Sequence, residues 1–294
     1  MKVVDLFAGC GGLSLGFQNA GFEIAAAFEN WEAAVKCYQA NFDHPVVRAD
    51  LSDVPGVVAI IRELEPDVIV GGPPCQDFSC AGKRIEASRA NLTKSFAQIV
   101  AEIRPGRFVM ENVEQARKSR SYASARTIFK RAGYGLTELV LDASRCGAPQ
   151  KRKRFICFGK LGERDDFARE AFESRFSEKP TTLRDYFGDR LGFEFYYRHP
   201  RNYNRRGIFS IDEPAPTMRG VNRPLPKGYK GSANDPCPVS PDLHVLTSRE
   251  RSLIQTFPED FKWVGTKTEV EQMIGNAVPV KLGQFVAETV KIVR

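Results

Sequence analysis

Residues 2–20, KVVDLFAGCGGLSLGFQNA, decide the fold. An apolar strand, KVVDLF, runs into a turn containing Gly9, Gly11 and Gly12, and the turn opens a helical pattern, LSLGFQNA. Such a turn lets a ligand approach the backbone closely, and the helix start offers unpaired N–H groups. The spacing is not the GxGxxG dinucleotide fingerprint, and a plain tight strand-to-helix connection would read the same way. The next strand, FEIAAAFE, ends on Glu29, about 20 residues on, where an acid typically accepts hydrogen bonds from ribose hydroxyls. A solvated strand end is the alternative. Asp50 follows PVVRAD and closes a third strand at the same edge. In parallel sheets the carboxyl ends of the strands hold ligands, so an adenosine-containing cofactor is expected there.

Outward from this unit the alternation continues. WEAAVKCYQANF has helical spacing, DVIVGG is a strand, and NLTKSFAQIVAEIR is a helix stopped by Pro105 and Gly106. RFVMEN is a strand, SYASARTIFKRAGY a helix closed at Gly133, and LTELVLD and RFICFG are further strands. The pattern predicts an α/β fold: a doubly wound, mostly parallel, Rossmann-like sheet. From about residue 161, LGERDDFAREAFESRFSEKP reads as a charged surface helix. Residues 181–265 are irregular and rich in proline, glycine, arginine and aromatics, a poor regular core in isolation. EQMIGNAVPVKLGQFVAETVKIV then brings back a loop and an apolar helix. The expected division is a catalytic domain over 1–175, rejoined by 266–294, and a smaller recognition domain over 176–265.

Composition bounds the function. The 294 residues are 42% hydrophobic, enough for one large domain or two modest ones. Seven cysteines, none in a CxxC pair, suggest neither a disulfide framework nor a zinc site, so no metal is expected. No stretch approaches the roughly 18 apolar residues of a membrane span, and the glycine-broken N-terminus is too short for a signal peptide. A reduced, cytoplasmic protein is expected. The net charge of +7 favours a polyanionic partner.

The candidate chemistry sits behind strand ends. In GGPPCQDFSCAG, residues 71–82, Pro73 and Pro74 stiffen the chain before Cys75. Cys75 is either a small buried hydrophobe or an oriented nucleophile. Glu111 and Asn112 follow the strand RFVMEN; a Glu in a partly dry pocket has a raised pKa and can donate a proton. In GAPQKRKRF, Arg152 and Arg154 alternate with Lys151 and Lys153, so the arginines share one face and the lysines the other. Arginines on one face suit phosphate or base-edge contacts, and a solvated charge run is the alternative.

Taken together, DLFAGCGGLSLGF, GGPPCQDFS, ENV, QKRKR, TSRERSLIQTFP and IGNAVP resemble, in order, the conserved blocks of DNA (cytosine-5) methyltransferases, and they span nearly the whole chain. The resemblance implies S-adenosylmethionine as methyl donor. It implies that Phe7, Gly9, Gly11 and Gly12 hold the cofactor's methionine end, Glu29 its ribose and Asp50 its adenine. Asn30, Trp31, Leu51, Pro73, Leu92, Asn276, Ala277 and Val278 are the further cofactor positions it implies. Cys75 matches the nucleophile, Glu111 the acid, and Arg152 and Arg154 the pair that holds target base and backbone. Asn30 stands between Glu29 and Trp31, where the family's aromatic usually follows the acid directly. Ala87 stands where an Asp is common.

The resemblance also makes the basic stretch near 181–265 a target-recognition region for double-stranded DNA. APTMRG, residues 215–220, resembles the short Thr-containing element after the family's variable loop, and Thr217 is its Thr. Arg219, Asn222 and Arg223 are candidate base readers, although phosphate contacts outnumber base contacts. Arg198, Arg201, Arg205 and Arg206 are assigned to phosphates, and Gln76, Ser79, Arg89 and Asn112 to the DNA near the target. A transfer-RNA cytosine methyltransferase and a catalytically inactive DNA-binding relative are the competing readings. A nicotinamide enzyme is a distant third that leaves the Cys75 loop unexplained. Length and the lack of an appended domain lead to an expected prokaryotic or phage enzyme, monomeric, with a cognate restriction endonuclease by family analogy.

Overall fold

A computed structural model describes residues 1–74, 92–200 and 205–293. The strands of its main sheet are β1 (Lys2–Leu6), β2 (Glu23–Glu29), β3 (Val46–Arg48), β4 (Val68–Gly71), β5 (Arg107–Val113), β6 (Tyr134–Asp142) and, past the short β7 (Gln150–Lys151), β8 (Lys153–Leu161). Their order is β3-β2-β1-β4-β5-β8-β6. Neighbours from β3 to β5 run parallel, while β8 is antiparallel to both β5 and β6. The sheet is therefore Rossmann-like and mostly parallel.

Strands buried on both faces need continuous apolar runs, and these have them. Val68, Val70, Val109, Ile156 and Phe158 face one core; Ile69, Phe108, Met110, Phe155 and Cys157 face the other. The first core is covered by α1 (Gly12–Asn19) and by the C-terminal helix. The second is covered by α3 (Val54–Leu64), α4 (Leu92–Ile103) and α5 (Arg120–Arg131), which follow α2 (Glu32–Gln39) in the chain. From the edge strand β3 the chain crosses through α3 to β4, on the far side of β1. The strand order thus reverses between β1 and β4, the place where open α/β sheets open a crevice for ligands.

Helix α3 has no counterpart in the sequence reading. DVPGVV looks like a loop, but Asp53 caps the helix by accepting from the Gly56 N–H (3.2 Å), and Pro55 sits in the first turn, where its missing N–H costs nothing. The surface helix expected over 161–180 is a correction: only α6 (Arg169–Glu173) is helical there. Phe172 is fully buried, and Phe167 and Phe176 pack partly buried on the same core. The charges hid three aromatics that tie this stretch to the sheet.

The irregular stretch also builds more core than its composition suggests. It carries α7 (Leu183–Phe187), a small sheet of β9 (Phe195–Tyr197), β10 (Ile208–Ser210) and β12 (His244–Val245), and α8 (Ser248–Ile254). Leu183, Tyr196, Ile211, Met218, Leu246 and Ile254 close a core of their own, assembled from positions far apart in the chain. Strand β11 (Ala215–Pro216) lies parallel to β7 and fastens this unit to the main one. The aromatics Phe257, Phe261 and Trp263 pack with Cys10, Cys37, Met273 and Ile274 beneath the glycine turn. Two helices, α9 (Lys267–Asn276) and α10 (Val280–Ile292), end the chain. Among the described residues no helix is long and apolar enough to cross a membrane, and no cluster of metal-ligating side chains occurs.

Candidate active site

The glycine turn lies at the carboxyl end of β1. Phe7 begins it with φ 60°, a left-handed conformation that is strained for an aromatic residue. Two backbone bonds hold it there, Ala8 N–H to Phe28 O (3.1 Å) and Gly11 N–H to Ala8 O (2.9 Å). Gly12 has no room for a side chain, since a Cβ there would sit 2.3 Å from the carbonyl oxygen of Val278. Helix α1 starts with no side-chain cap from Gly11; its Gly12 N–H is turned to Cys10 and its Ser14 N–H to the buried Asp5 carboxyl. Glu29 is the hub beside it. Its Oε2 accepts from Gly9 N–H (2.8 Å), and its Oε1 from Asn30 N–H (2.9 Å) and Trp31 N–H (2.8 Å). A carboxylate oxygen accepts about two hydrogen bonds, so Oε2 keeps capacity for a hydroxyl donor.

Asp50 is exposed at the end of β3, and bonds from Ser52 N–H (2.9 Å) and Ser52 Oγ–H (2.7 Å) hold its pKa below the usual carboxylate value. Trp31 is half-buried beside the Phe257 cluster, Leu51 is buried in the second core, and Leu92 opens α4. Asn276 ends α9, where it accepts from Gln272 Nε2 (2.8 Å), and Ala277 and Val278 form the turn after it. Turn, strand-end acid and this second turn meet in a cradle at the carboxyl edge of the sheet.

Sequence reasoning missed a buried chain beneath this cradle. Ser14 Oγ–H donates to Asp5 Oδ2 (2.5 Å), and Tyr38 O–H donates to Ser14 Oγ (2.7 Å). With the Tyr38 proton so used, His44 Nε2, at 2.6 Å, is left to donate to the Tyr38 oxygen. Asp5 is fully buried, and its Oδ1 has no partner among the described residues. Burial, with a smaller push from Glu29 and against the Ser14 bonds, raises its pKa from 3.8 to about 7. A carboxyl whose folded pKa is raised favours the folded state fully below 3.8, and that contribution is lost as pH rises through about 7. Asp5→Asn is therefore expected to gain stability relative to the parent as pH rises across that window. The limit is about 4 kcal/mol, read as diverging thermal melts.

The acid lies one strand over from the crevice. Glu111 near the end of β5 is 8% exposed, and Arg154 at the start of β8 pairs with it, Nε to Oε1 at 2.8 Å. Antiparallel pairing of β5 and β8 brings the two together. Burial raises the Glu111 pKa above the ordinary value, against the pull of Arg154 and then Arg152. Burial likewise lowers the Arg154 pKa, against Glu111. Burial favours the protonated carboxyl of Glu111, and the paired Arg154 opposes it. Asn112 donates from Nδ2 to Pro73 O (2.9 Å) and so ties the proline loop to β5. Cys75 follows Pro73 by two residues. Cys75, Gln76, Ser79, Arg89 and Arg201 lie outside the described residues.

Arg152 and Arg154 face inward and Lys151 and Lys153 outward, as alternation required. Arg152 does not join the Glu111 pair directly: its hydrogen bonds run to the carbonyls of Met218, Gly275 and Ala277. The recognition candidates divide. Arg205 and Arg223 are exposed. Arg206 is held by Glu213 (Nη1 to Oε2, 2.9 Å) and lies over the Phe209 ring, 4.6 Å from its centre. Arg198 donates to Thr217 O (2.5 Å), Arg219 to His199 O, and Thr217 Oγ1–H to Lys151 O (2.9 Å). The amide of Asn222 donates to Leu246 O (2.7 Å) and Glu271 Oε1 (3.4 Å). These side chains build the loop that the exposed arginines flank.

The glycine turn and Glu29 stand at the sheet's switch point, with a buried, arginine-paired acid one strand away. The model for the C-5 cytosine-specific DNA methylases matches residues 1–292, and the chain belongs to that family. It is a DNA (cytosine-5) methyltransferase. It is 59% identical over 292 residues to the Type II methyltransferase M.HindV of Haemophilus influenzae, across 99% of this chain and 96% of that protein. It is 53% identical over 293 residues to the Type II methyltransferase M.HgiDI of Herpetosiphon aurantiacus, across 99% of this chain and 94% of that protein. The solved S. pombe Dnmt2 methyltransferase shares the fold, with a TM-score of 0.72 at 17% identity over 99% of this chain and 98% of that one.

Proposed function

We propose that the enzyme methylates C5 of a cytosine flipped out of a specific duplex DNA sequence, with S-adenosylmethionine as donor and Cys75 as covalent nucleophile. The observation that carries this reading is Glu111: a buried, Arg154-paired carboxyl with a raised pKa, on the strand whose next residue holds the loop leading to Cys75. Cytosine C5 is a poor nucleophile. The Cys75 thiolate adds to C6 while Glu111 donates a proton to N3, and the ring becomes enamine-like at C5. When bound, S-adenosylmethionine supplies an electrophilic sulfonium methyl for that carbon. Loss of the C5 proton to a base or ordered water, return of the N3 proton to Glu111 and elimination of the thiolate then free Cys75 and the methylated base. Glu29 would take the donor's ribose hydroxyls, and the glycine turn its methionine end. Because C6 lies inside the base stack, the target nucleotide leaves the duplex to meet the thiolate.

The relatives M.HindV and M.HgiDI are named Type II methyltransferases. The proposed role is accordingly protection of cytoplasmic host DNA beside a cognate restriction endonuclease. The family description names DNA, which favours duplex DNA over transfer RNA. Bisulfite sequencing of DNA and of transfer RNA from cells expressing the protein is the test: one recurrent methylated motif in DNA is expected, and methylation confined to transfer RNA would overturn the reading. Arg205 and Arg223 are proposed phosphate contacts. Affinity for duplex should therefore fall log-linearly with salt, and Arg223→Ala should shallow the slope by about 1. A slope unchanged in titrations of this variant would remove Arg223 from the interface.

A further inference from the structure

We propose that Gln150, Arg152 and Gln255 form a buried relay that couples cofactor-loop occupancy to the recognition segment 217–222, with Arg152 a positioning residue that does not touch the target base. The inference rests on the function proposed above.

All three side chains are buried: Gln150 and Gln255 are 0% exposed and Arg152 is 1% exposed. Gln150 accepts the Met218 N–H at Oε1 (2.9 Å) and donates from Nε2 to Gln255 Oε1 (2.7 Å). Gln255 in turn donates to the carbonyls of Ile274 and Ala277. Arg152 closes the circuit from the other side. Its Nη1 donates to Met218 O (2.9 Å), and its Nη2 to Gly275 O (2.9 Å) and Ala277 O (3.0 Å). Met218 in the recognition segment and the turn after α9 are thus bound to the same side chains.

The end of α9 and the turn after it together touch both ligand sites. On one side Val278 O lies against Gly12 of the cofactor cradle. On the other, a Cβ on Gly275 would meet Gly220 N at 2.1 Å and Arg219 C at 2.4 Å, so backbone packs on backbone. Arg251, ion-paired with Glu271 in the interior, donates to Arg219 O and fixes the segment's far end. A segment seated this way cannot shift without moving the turn, and the turn cannot move without pressing on Gly12. Buried polar circuits of this kind are satisfied in one arrangement and broken in its neighbours, which transmits displacement. Coupling between two ligands is reciprocal, so each must tighten the other by the same factor.

The test measures that factor in the full-length protein. Titrate S-adenosylhomocysteine with and without a duplex carrying the methylated motif, in the parent, Arg152→Lys and Gln255→Met. In the parent the duplex is expected to tighten S-adenosylhomocysteine by about tenfold, and the reverse titration should give the same factor. In the variants the factor falls towards one, while each ligand alone binds within about threefold of the parent and thermal melts stay cooperative. Two variants guard against one failing to fold. Coupling preserved in a folded variant, or absent from a parent that binds both ligands, overturns the relay and leaves the proposed function standing. A parent that binds neither ligand overturns the proposed function and the relay together.

Discussion

Cys75→Ala is expected to lower methyl transfer to duplex DNA by on the order of 10⁴-fold or more, as losing a covalent nucleophile does elsewhere. Duplex binding should persist, because phosphates and recognition contacts supply the affinity. Radiolabelled methyl incorporation beside a binding titration separates the two effects. Cys75→Ser tests the chemistry more closely. A serine hydroxyl is far less ionised than a thiol near neutral pH, so the variant should be nearly as inactive as alanine despite its similar size. Substantial activity in either variant would mean that position 75 positions the base and does not bond to it.

Glu111→Gln is the second large effect, an expected loss of about 10²–10⁴-fold in kcat/KM, the usual worth of a placed general acid. The pH profile gives the sharper reading. On the proposed mechanism the rate rises with pH as the Cys75 thiolate forms and falls as Glu111 loses its proton. Burial moves the Glu111 pKa upward, which extends the falling limb towards neutral pH relative to an ordinary carboxyl. In Glu111→Gln that limb should vanish while the rising limb stays. A falling limb unchanged in the variant would assign it to another group.

Much of the sheet was legible because strands buried on both faces announce themselves as short apolar runs: KVVDL, DVIV and RFVM lie where such runs must. Helix α3 was not, since DVPGVV carries two helix breakers, and only its cap and first-turn proline excuse them. The anchoring role of Phe167, Phe172 and Phe176 was masked by the charges between them, because periodicity weighs neighbours and not distant cores. Of the site, the strand-end residues Glu29 and Glu111 were legible, since β-strand geometry fixes which edge they reach. The Asp5–Ser14–Tyr38–His44 chain and the Gln150–Arg152–Gln255 circuit were not. Both are made of ordinary polar residues, with partners up to 24 positions apart in the first and up to 125 in the second, and only tertiary packing joins them. Arg152 and Arg154 looked equivalent in QKRKR; the fold gives one to carbonyls and the other to Glu111.

The account stands on a transient bond between the Cys75 sulfur and C6 of the target cytosine. Its most direct measurement uses the motif duplex with fluorine in place of hydrogen at the target C5, incubated with enzyme and S-adenosylmethionine, then digested and mapped by mass spectrometry. Fluorine cannot leave as a proton does, so elimination should stall, and the account predicts a denaturant-resistant adduct of one methylated fluorocytosine on the peptide containing Cys75. Normal turnover of the fluorinated duplex, or an adduct that persists in Cys75→Ser, would contradict it.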